Sequence, residues 1–281
     1  MFAHEFMRNA LLAGTSIGAA CGLVGYLVVL RAQVFAVDAL SHVAFTGALA
    51  TAAFGVDARI GLFAATIVVG IGMGGLGDRA RAEDVTIGVV FAWILGLGAL
   101  FLAIFTTRSS AGNGTAAVRV LFGSILGLSV SDAAIAAAVS AAAIAVTLAA
   151  ARPLVFSSLD ADVAAAQGVP VRLLGLGFLA VLGAVAGEAT QAVGALLLLG
   201  LIAGPAGAAH RLARSPYAGL ALSTGFAVAS VWIGLALAYL EPQLPPSTAI
   251  IAVAALFFIV AAAATRSGAA PRLRALRATR G

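Results

Sequence analysis

Apolar blocks of roughly 20 residues, separated by short polar breaks, run through the whole chain, and a helix of that length spans a hydrocarbon core of about 30 Å. Lipid offers no partner for backbone N–H and C=O groups, so blocks of this kind must satisfy those groups internally. A transmembrane barrel would alternate apolar and polar residues in segments of about 10, and no such alternation is present. Of the 281 residues 62% are hydrophobic and only 10% charged, far from the mixed-charge balance of a soluble domain. The fold class expected is all-α, a polytopic transmembrane helical bundle of about nine spans. They fall near 9–30, 34–54, 60–76, 85–105, 131–151, 173–186, 191–209, 216–239 and 247–264. Residues 1–265 then form one transmembrane domain and 266–281 a basic tail.

The net charge of +5 comes from arginine alone, since the sequence contains no lysine. A P-loop needs its lysine on the nucleotide phosphates, so no standard Walker A motif is present and any ATP-driven work needs a separate subunit. The arginines sit in short breaks and in the tail rather than on one soluble face, which argues against nucleic acid and for membrane topology. Arg266, Arg272, Arg274, Arg277 and Arg280 place the tail in the cytoplasm. Counting backward, Arg31 and the breaks at 77–84, 152–172 and 210–215 fall inside, and the arginine-free turn at Glu241 falls outside. Arg8, Arg59, Arg108 and Arg119 are left on the outer side against the trend. The single cysteine, Cys21, excludes a disulfide within the chain. The apolar run after Arg8 lacks a small-residue cleavage site and reads as a retained first helix.

Asp38 and His42 stand four residues apart inside an apolar block, so on a helix they share a face. Ionisable groups at membrane depth are costly and by default functional, and this pair suits a first-row divalent metal such as zinc, manganese or ferrous iron. The plainer alternative is that Asp38 caps a helix after a break at Arg31 and His42 donates to a backbone carbonyl. Glu188 and Gln191 fall in a polar break at 187–191, an outer helix end where polar residues are cheap, and are candidates to line the entrance of a path. Residues 160–168 read as a short cytoplasmic helix, with Asp160 and Asp162 at its start and Gly168 as its stop. Asp132 reads as a cap or an interface charge, with no chemistry assigned to it. Gly14, Gly18 and Gly22 form a packing stripe, and the glycine-rich stretch 72–77, lacking a preceding strand, is helix packing rather than a nucleotide site. A proton-coupled carrier using Asp38 and His42 as a relay is a competing function. An intramembrane enzyme lacks any matching motif.

Four ordered stretches carry a family resemblance. Asp38-Ala39-Leu40-Ser41-His42 with Gly47 resembles the membrane subunit of zinc and manganese ABC importers, the ABC-3 permease family. Asp84-Val85-Thr86-Ile87-Gly88, Val120-Leu121-Phe122-Gly123 and Val193-Gly194-Ala195, leading to Gly204-Pro205-Ala206, are similar to further family segments. The family usually has isoleucine where this chain has Gly204. The resemblance implies a type II-like ABC importer permease fold in the bacterial cytoplasmic membrane, with two copies forming a path on their shared axis. It implies a separate cytoplasmic ATPase docking on the helix at Asp160, Asp162 and Gly168, and an extracytoplasmic metal-binding protein delivering cargo. No permanently bound cofactor is expected, only the transported zinc or manganese, held between two Asp38 and two His42. Siderophore and cobalamin importers share the broad architecture and would not need this pair.

Overall fold

The computed structural model describes residues 5–76, 84–108, 123–241 and 243–278, and among these every regular element is helical. The order is α1 (Glu5–Leu30), α2 (Val34–Ala53), α3 (Ala58–Leu76) and α4 (Asp84–Arg108), then a 3-10 turn at Ile125–Gly127 and α5 (Val130–Ala149). Two short helices, α6 (Ala151–Leu159) and α7 (Ala161–Ala166), lead to α8 (Val171–Val193), α9 (Leu198–Leu212), α10 (Pro216–Leu240) and α11 (Pro246–Ala278). Seven of them, α1, α2, α3, α5, α8, α10 and α11, contain segments long and apolar enough to cross a membrane. α4 is a shorter apolar helix over Phe91–Thr107, and α9, of 15 residues, is shorter than a full span, so among the described residues seven of the nine expected spans have full membrane-crossing length. α11 continues as a helix past residue 265 to Ala278.

The expected interruption at 187–191 is not there. α8 runs unbroken from Val171 to Val193, with the Thr190 hydroxyl donating to the Ala186 carbonyl at 2.7 Å. The chain turns instead at Gly194, whose φ of 93° suits glycine. α9 reaches only about 22 Å at 1.5 Å per residue. Its leading turn therefore lies at membrane depth, which is tolerable because Gly194 and Ala195 are buried in protein.

α1 is the central helix, packed against α5, α8, α9 and α10. Its glycine stripe faces α10, as the four-residue spacing predicts. A Cβ on Gly22 would lie 2.6 Å from the Ser223 carbonyl, and the Ser223 hydroxyl donates to the Gly22 carbonyl at 2.6 Å. With lipid tails as apolar as leucine, such close approach and interhelical hydrogen bonding drive the packing. α3 and α8 repeat the device: a Cβ on Gly183 would meet the Thr66 carbonyl at 2.5 Å, and one on Gly70 the Leu179 carbonyl at 2.5 Å. In the glycine-rich stretch only Gly74 packs tightly, against Leu176, while Gly72 and Gly75 face open space; Gly77 lies outside the described residues.

The two ends of the bundle differ in chemistry. At one, His210 Nε2 donates to the Tyr26 carbonyl (3.0 Å) and its ring stacks on Tyr26 at 4.1 Å, while the Arg31 guanidinium lies over Phe178. At the other, the segment 123–128, with its 3-10 turn, packs against α1 and α8. Ile125 is buried there, and the Ser124 N–H donates to the Gln191 carbonyl at 3.0 Å. Residues 109–122 lie outside the described residues.

α7 has the ends read from its sequence. Asp160 Oδ1 accepts from the Val163 N–H at 3.0 Å, and Gly168 takes a φ of 82° with its N–H on the Ala165 carbonyl. Asp160→Ala is expected to weaken α7 by about 1 kcal/mol. Amide exchange at Val163 should speed up roughly fivefold while α8 is unaffected.

Candidate functional site

α2 is held on three sides by α3, α8 and α9, and on a fourth by α4. Its buried face carries Val37, Leu40, Ala44 and Ala48. Asp38, His42, Phe45 and Thr46 lie on a half-buried stripe of the same helix, so the two candidate ligands are on one face, off the apolar core. That is the four-residue spacing realised in three dimensions.

α4 closes one flank of this stripe. Phe91 meets the His42 ring edge-on, centroids 5.1 Å apart at 84°, and the Thr46 hydroxyl donates to the Ile94 carbonyl at 3.1 Å one turn further on. Ser41 donates to the Asp38 main-chain carbonyl at 2.7 Å, which leaves the carboxylate out of that bond. Among the described residues neither the Asp38 carboxylate nor the His42 imidazole has a hydrogen-bond partner. The plainer reading of the pair therefore fails on both counts. Gln33 occupies the N-cap of α2, Asp38 lies beyond the first turn, and no described carbonyl accepts from His42.

Two donors do not make a complete site. Among the described residues no three His, Cys, Asp or Glu side chains converge on one point, so this chain by itself offers an ion half a coordination sphere. An open, half-buried stripe with an acid and an imidazole can bind a divalent cation only if further donors come from elsewhere.

Glu188 and Gln191 are on α8 and do not sit at a solvated helix end. Glu188 is 4% exposed and its Oε2 is buried without a hydrogen-bond partner among the described residues. Gln191 is half-buried. The N-cap of α5 is Ser129 rather than Asp132, which stands at N3 and completes a reciprocal capping box: its Oδ2 accepts from the Ser129 N–H at 3.1 Å and the Ser129 hydroxyl accepts from the Asp132 N–H. Asp132 also pairs with Arg59, which sequence reasoning passed over. The signal was present: Arg59 is one of the arginines on the wrong side for topology, and its partner explains why it is there. Asp162 on α7 is exposed, as are Asp160 at the N-cap of that helix, Gly168 just past its end and the neighbouring Val163 and Leu159, at the end of the bundle opposite Arg59.

A profile described as the ABC 3 transport family matches residues 3–265. The chain is 24% identical over 258 residues to a manganese transport system membrane protein, MntC, of Halalkalibacterium halodurans, covering 92% of this chain and 87% of that one. It is 26% identical to a chelated iron transport system membrane protein, YfeD, of Yersinia pestis, covering 85% and 78%. Among solved structures, PsaBC from Streptococcus pneumoniae, in complex with Fab, aligns with a TM-score of 0.78 at 26% identity, over 92% of this chain and 91% of its own. The helical bundle thus has the fold of an ABC transporter permease and is a multi-pass membrane protein. Matched over nearly its whole length, the chain belongs to the ABC 3 transport family.

Proposed function

We propose that this chain is the permease subunit of an ABC importer that carries a divalent transition metal across the cytoplasmic membrane, with Asp38 and His42 on its path. The observation that carries the reading is the pair itself: an acid and an imidazole one turn apart, on one half-buried face of α2, without hydrogen-bond partners among the described residues. Membership of the family and the manganese transport names of its relatives support it. Carboxylate and imidazole together accept manganese, zinc and ferrous iron, and the relatives' names favour manganese.

The missing half of the coordination sphere comes from a second copy. On a two-fold axis the same surface meets itself, so two Asp38 and two His42 supply four donors. The two carboxylates provide the charge a divalent ion needs, and the low-dielectric surroundings strengthen the attraction. An importer whose two copies move apart halves the ligand set and releases the ion. No cofactor is resident; the metal is cargo.

ATP hydrolysis belongs to a separate cytoplasmic subunit, because the chain has no lysine for a P-loop. α7 is the element for that subunit to dock on. It is short, capped at both ends and exposed, with Asp160, Asp162 and Gly168 defining it and apolar Val163 outward. An extracytoplasmic metal-binding protein delivers the ion to the opposite end, toward which Glu188 and Gln191 lie in the last turns of α8.

ATP dependence separates this reading from a proton-coupled carrier. In cells whose ATP is held constant, a protonophore is expected to leave manganese uptake within about twofold of control, and ATP depletion at constant proton gradient to abolish it. The reverse pattern would assign Asp38 and His42 to a proton relay.

A further inference from the structure

α4 packs against α2 and makes no more than marginal contact with any other described helix. Its grip is on the side of α2 that carries Asp38 and His42. Toward the end that the arginine pattern places outside, Phe105 joins Leu49 and Ala53 in a small apolar cluster separate from the main core. Further in, Gly98 comes so close that a Cβ there would lie 2.8 Å from the Thr46 hydroxyl oxygen, and that hydroxyl donates to the Ile94 carbonyl. A helix seated in this way has one neighbour to act on, the helix that bears the ligands.

Phe91 is the residue through which it acts. The His42 ring turns about a terminal torsion whose wells are broad, and among the described residues no hydrogen bond holds it. The Phe91 ring meets it at 5.1 Å and 84°, a favoured arrangement of two aromatic rings. Phe91 is itself seated, its ring 5.8 Å from that of Phe35. Phe35 and His42 are about two turns of α2 apart, with Asp38 on the turn between them. The Phe91 ring, reaching both, therefore lies alongside the turn that carries the acid.

We infer that Phe91 is a positioning residue of the metal path, setting the plane of the His42 imidazole before the ion arrives, and that the Thr46–Ile94 bond fixes the height on α2 at which Phe91 meets that ring. This rests on the importer reading above. A metal-ligating histidine ordinarily has its ring oriented by a hydrogen bond from the other ring nitrogen. His42 has no such bond among the described residues, and the right-angled aromatic wall takes its place. The wall blocks rotation of the imidazole toward α4, while the residue stays half-buried rather than sealed. A ring already set has little rotational freedom left to lose when it binds. A phenyl wall also offers the ion no competing donor, so Asp38 and His42 remain the ligands on this chain.

The test is the initial rate of manganese uptake per permease molecule, in cells carrying the complete importer with wild-type, F91A, F91L, F91Y, T46V or T46S permease, with the melting temperature of each purified variant measured beside it. F91A and F91L are expected to lower the rate about tenfold, the lower end for losing the support of a metal-binding histidine, with melting little changed. F91Y keeps an aromatic ring at the same place and should retain at least about half of the rate. T46V removes the hydroxyl that sets the height of α4 and should lower the rate about threefold, while T46S, which keeps it, should not. A packing role alone is served by leucine nearly as well as by phenylalanine. Equal rates in F91L and F91Y, high or low, therefore overturn the inference, as does an unchanged rate in F91A. If the Phe91 variants fail to accumulate, the Thr46 pair decides, and equal rates in T46V and T46S overturn it. H42A is measured alongside. Loss of uptake in H42A with a full rate in F91A overturns this inference and leaves the Asp38/His42 path standing, whereas a full rate in H42A removes the path itself.

Discussion

His42→Ala is expected to reduce metal accumulation in metal-limited cells to the level of a strain lacking the permease, with the protein inserted at wild-type abundance. The imidazole is half-buried and its described ring contact is the edge-on approach of Phe91, so truncation opens no sealed core. Alanine is also the best helix former at that position. In the paired site the single substitution removes two of four donors. Changes outside the ligand shell of metal sites already weaken binding by about 10–100-fold, and loss of direct ligands should exceed that. Asp38→Asn keeps the shape and removes the charge, so it should fail in the same way. The measurement is the cellular content of zinc, manganese, iron and cobalt in the deletion strain complemented with each variant. The metal that falls in the deletion and returns only with wild type is the cargo. Normal content of every metal with His42→Ala would remove the pair from the path.

What was legible in the sequence was local. Asp38 and His42 needed only the helical period to share a face, and α7 needed only its own cap residues, Asp160 and Gly168, to acquire its ends. The glycine stripe of α1 announced a close neighbour without naming α10. The errors came where distant segments decide. Residues 187–191 look like a polar break because a glycine, an acid, a threonine and an amide follow one another. Within the bundle, Thr190 turns its hydroxyl back onto α8 and Glu188 is covered, so the helix has no reason to stop. The stop is set by Gly194, which a single sequence does not distinguish from the chain's many packing glycines. Arg59 and Asp132 lie on helices with no local link in sequence, and their pairing could be suspected only from an arginine standing against the charge pattern.

Gly47→Val is expected to destabilise the protein by about 3 kcal/mol or more, the upper range for overpacking a tight contact. A Cβ at Gly47 would collide with the Gly61 backbone carbonyl and lie 2.6 Å from the Ala65 Cβ, and a Cβ at Gly61 would in turn collide with the Gly47 carbonyl. The two helices therefore touch backbone to backbone, and no side chain can swing aside to make room. Against a total stability of roughly 5–15 kcal/mol such a loss should sharply lower both accumulation and the melting temperature in detergent. Gly72→Ala is the matched control, because nothing lies within 4 Å of its Cβ position. It should be neutral or stabilising by up to about 1 kcal/mol. Equal melting of the two variants would show that the α2–α3 contact is looser than described. Gly47→Ala carries the argument from packing to transport. It adds one methyl at the same crossing, five residues after His42, and the least disruptive accommodation is to slide or rotate α2 on α3. Because α2 carries both ligands, a shift of about 1 Å misplaces them relative to the second copy. Gly47→Ala should therefore lose more uptake than stability, and a variant that kept full uptake with a lowered melting temperature would separate the crossing from the metal path.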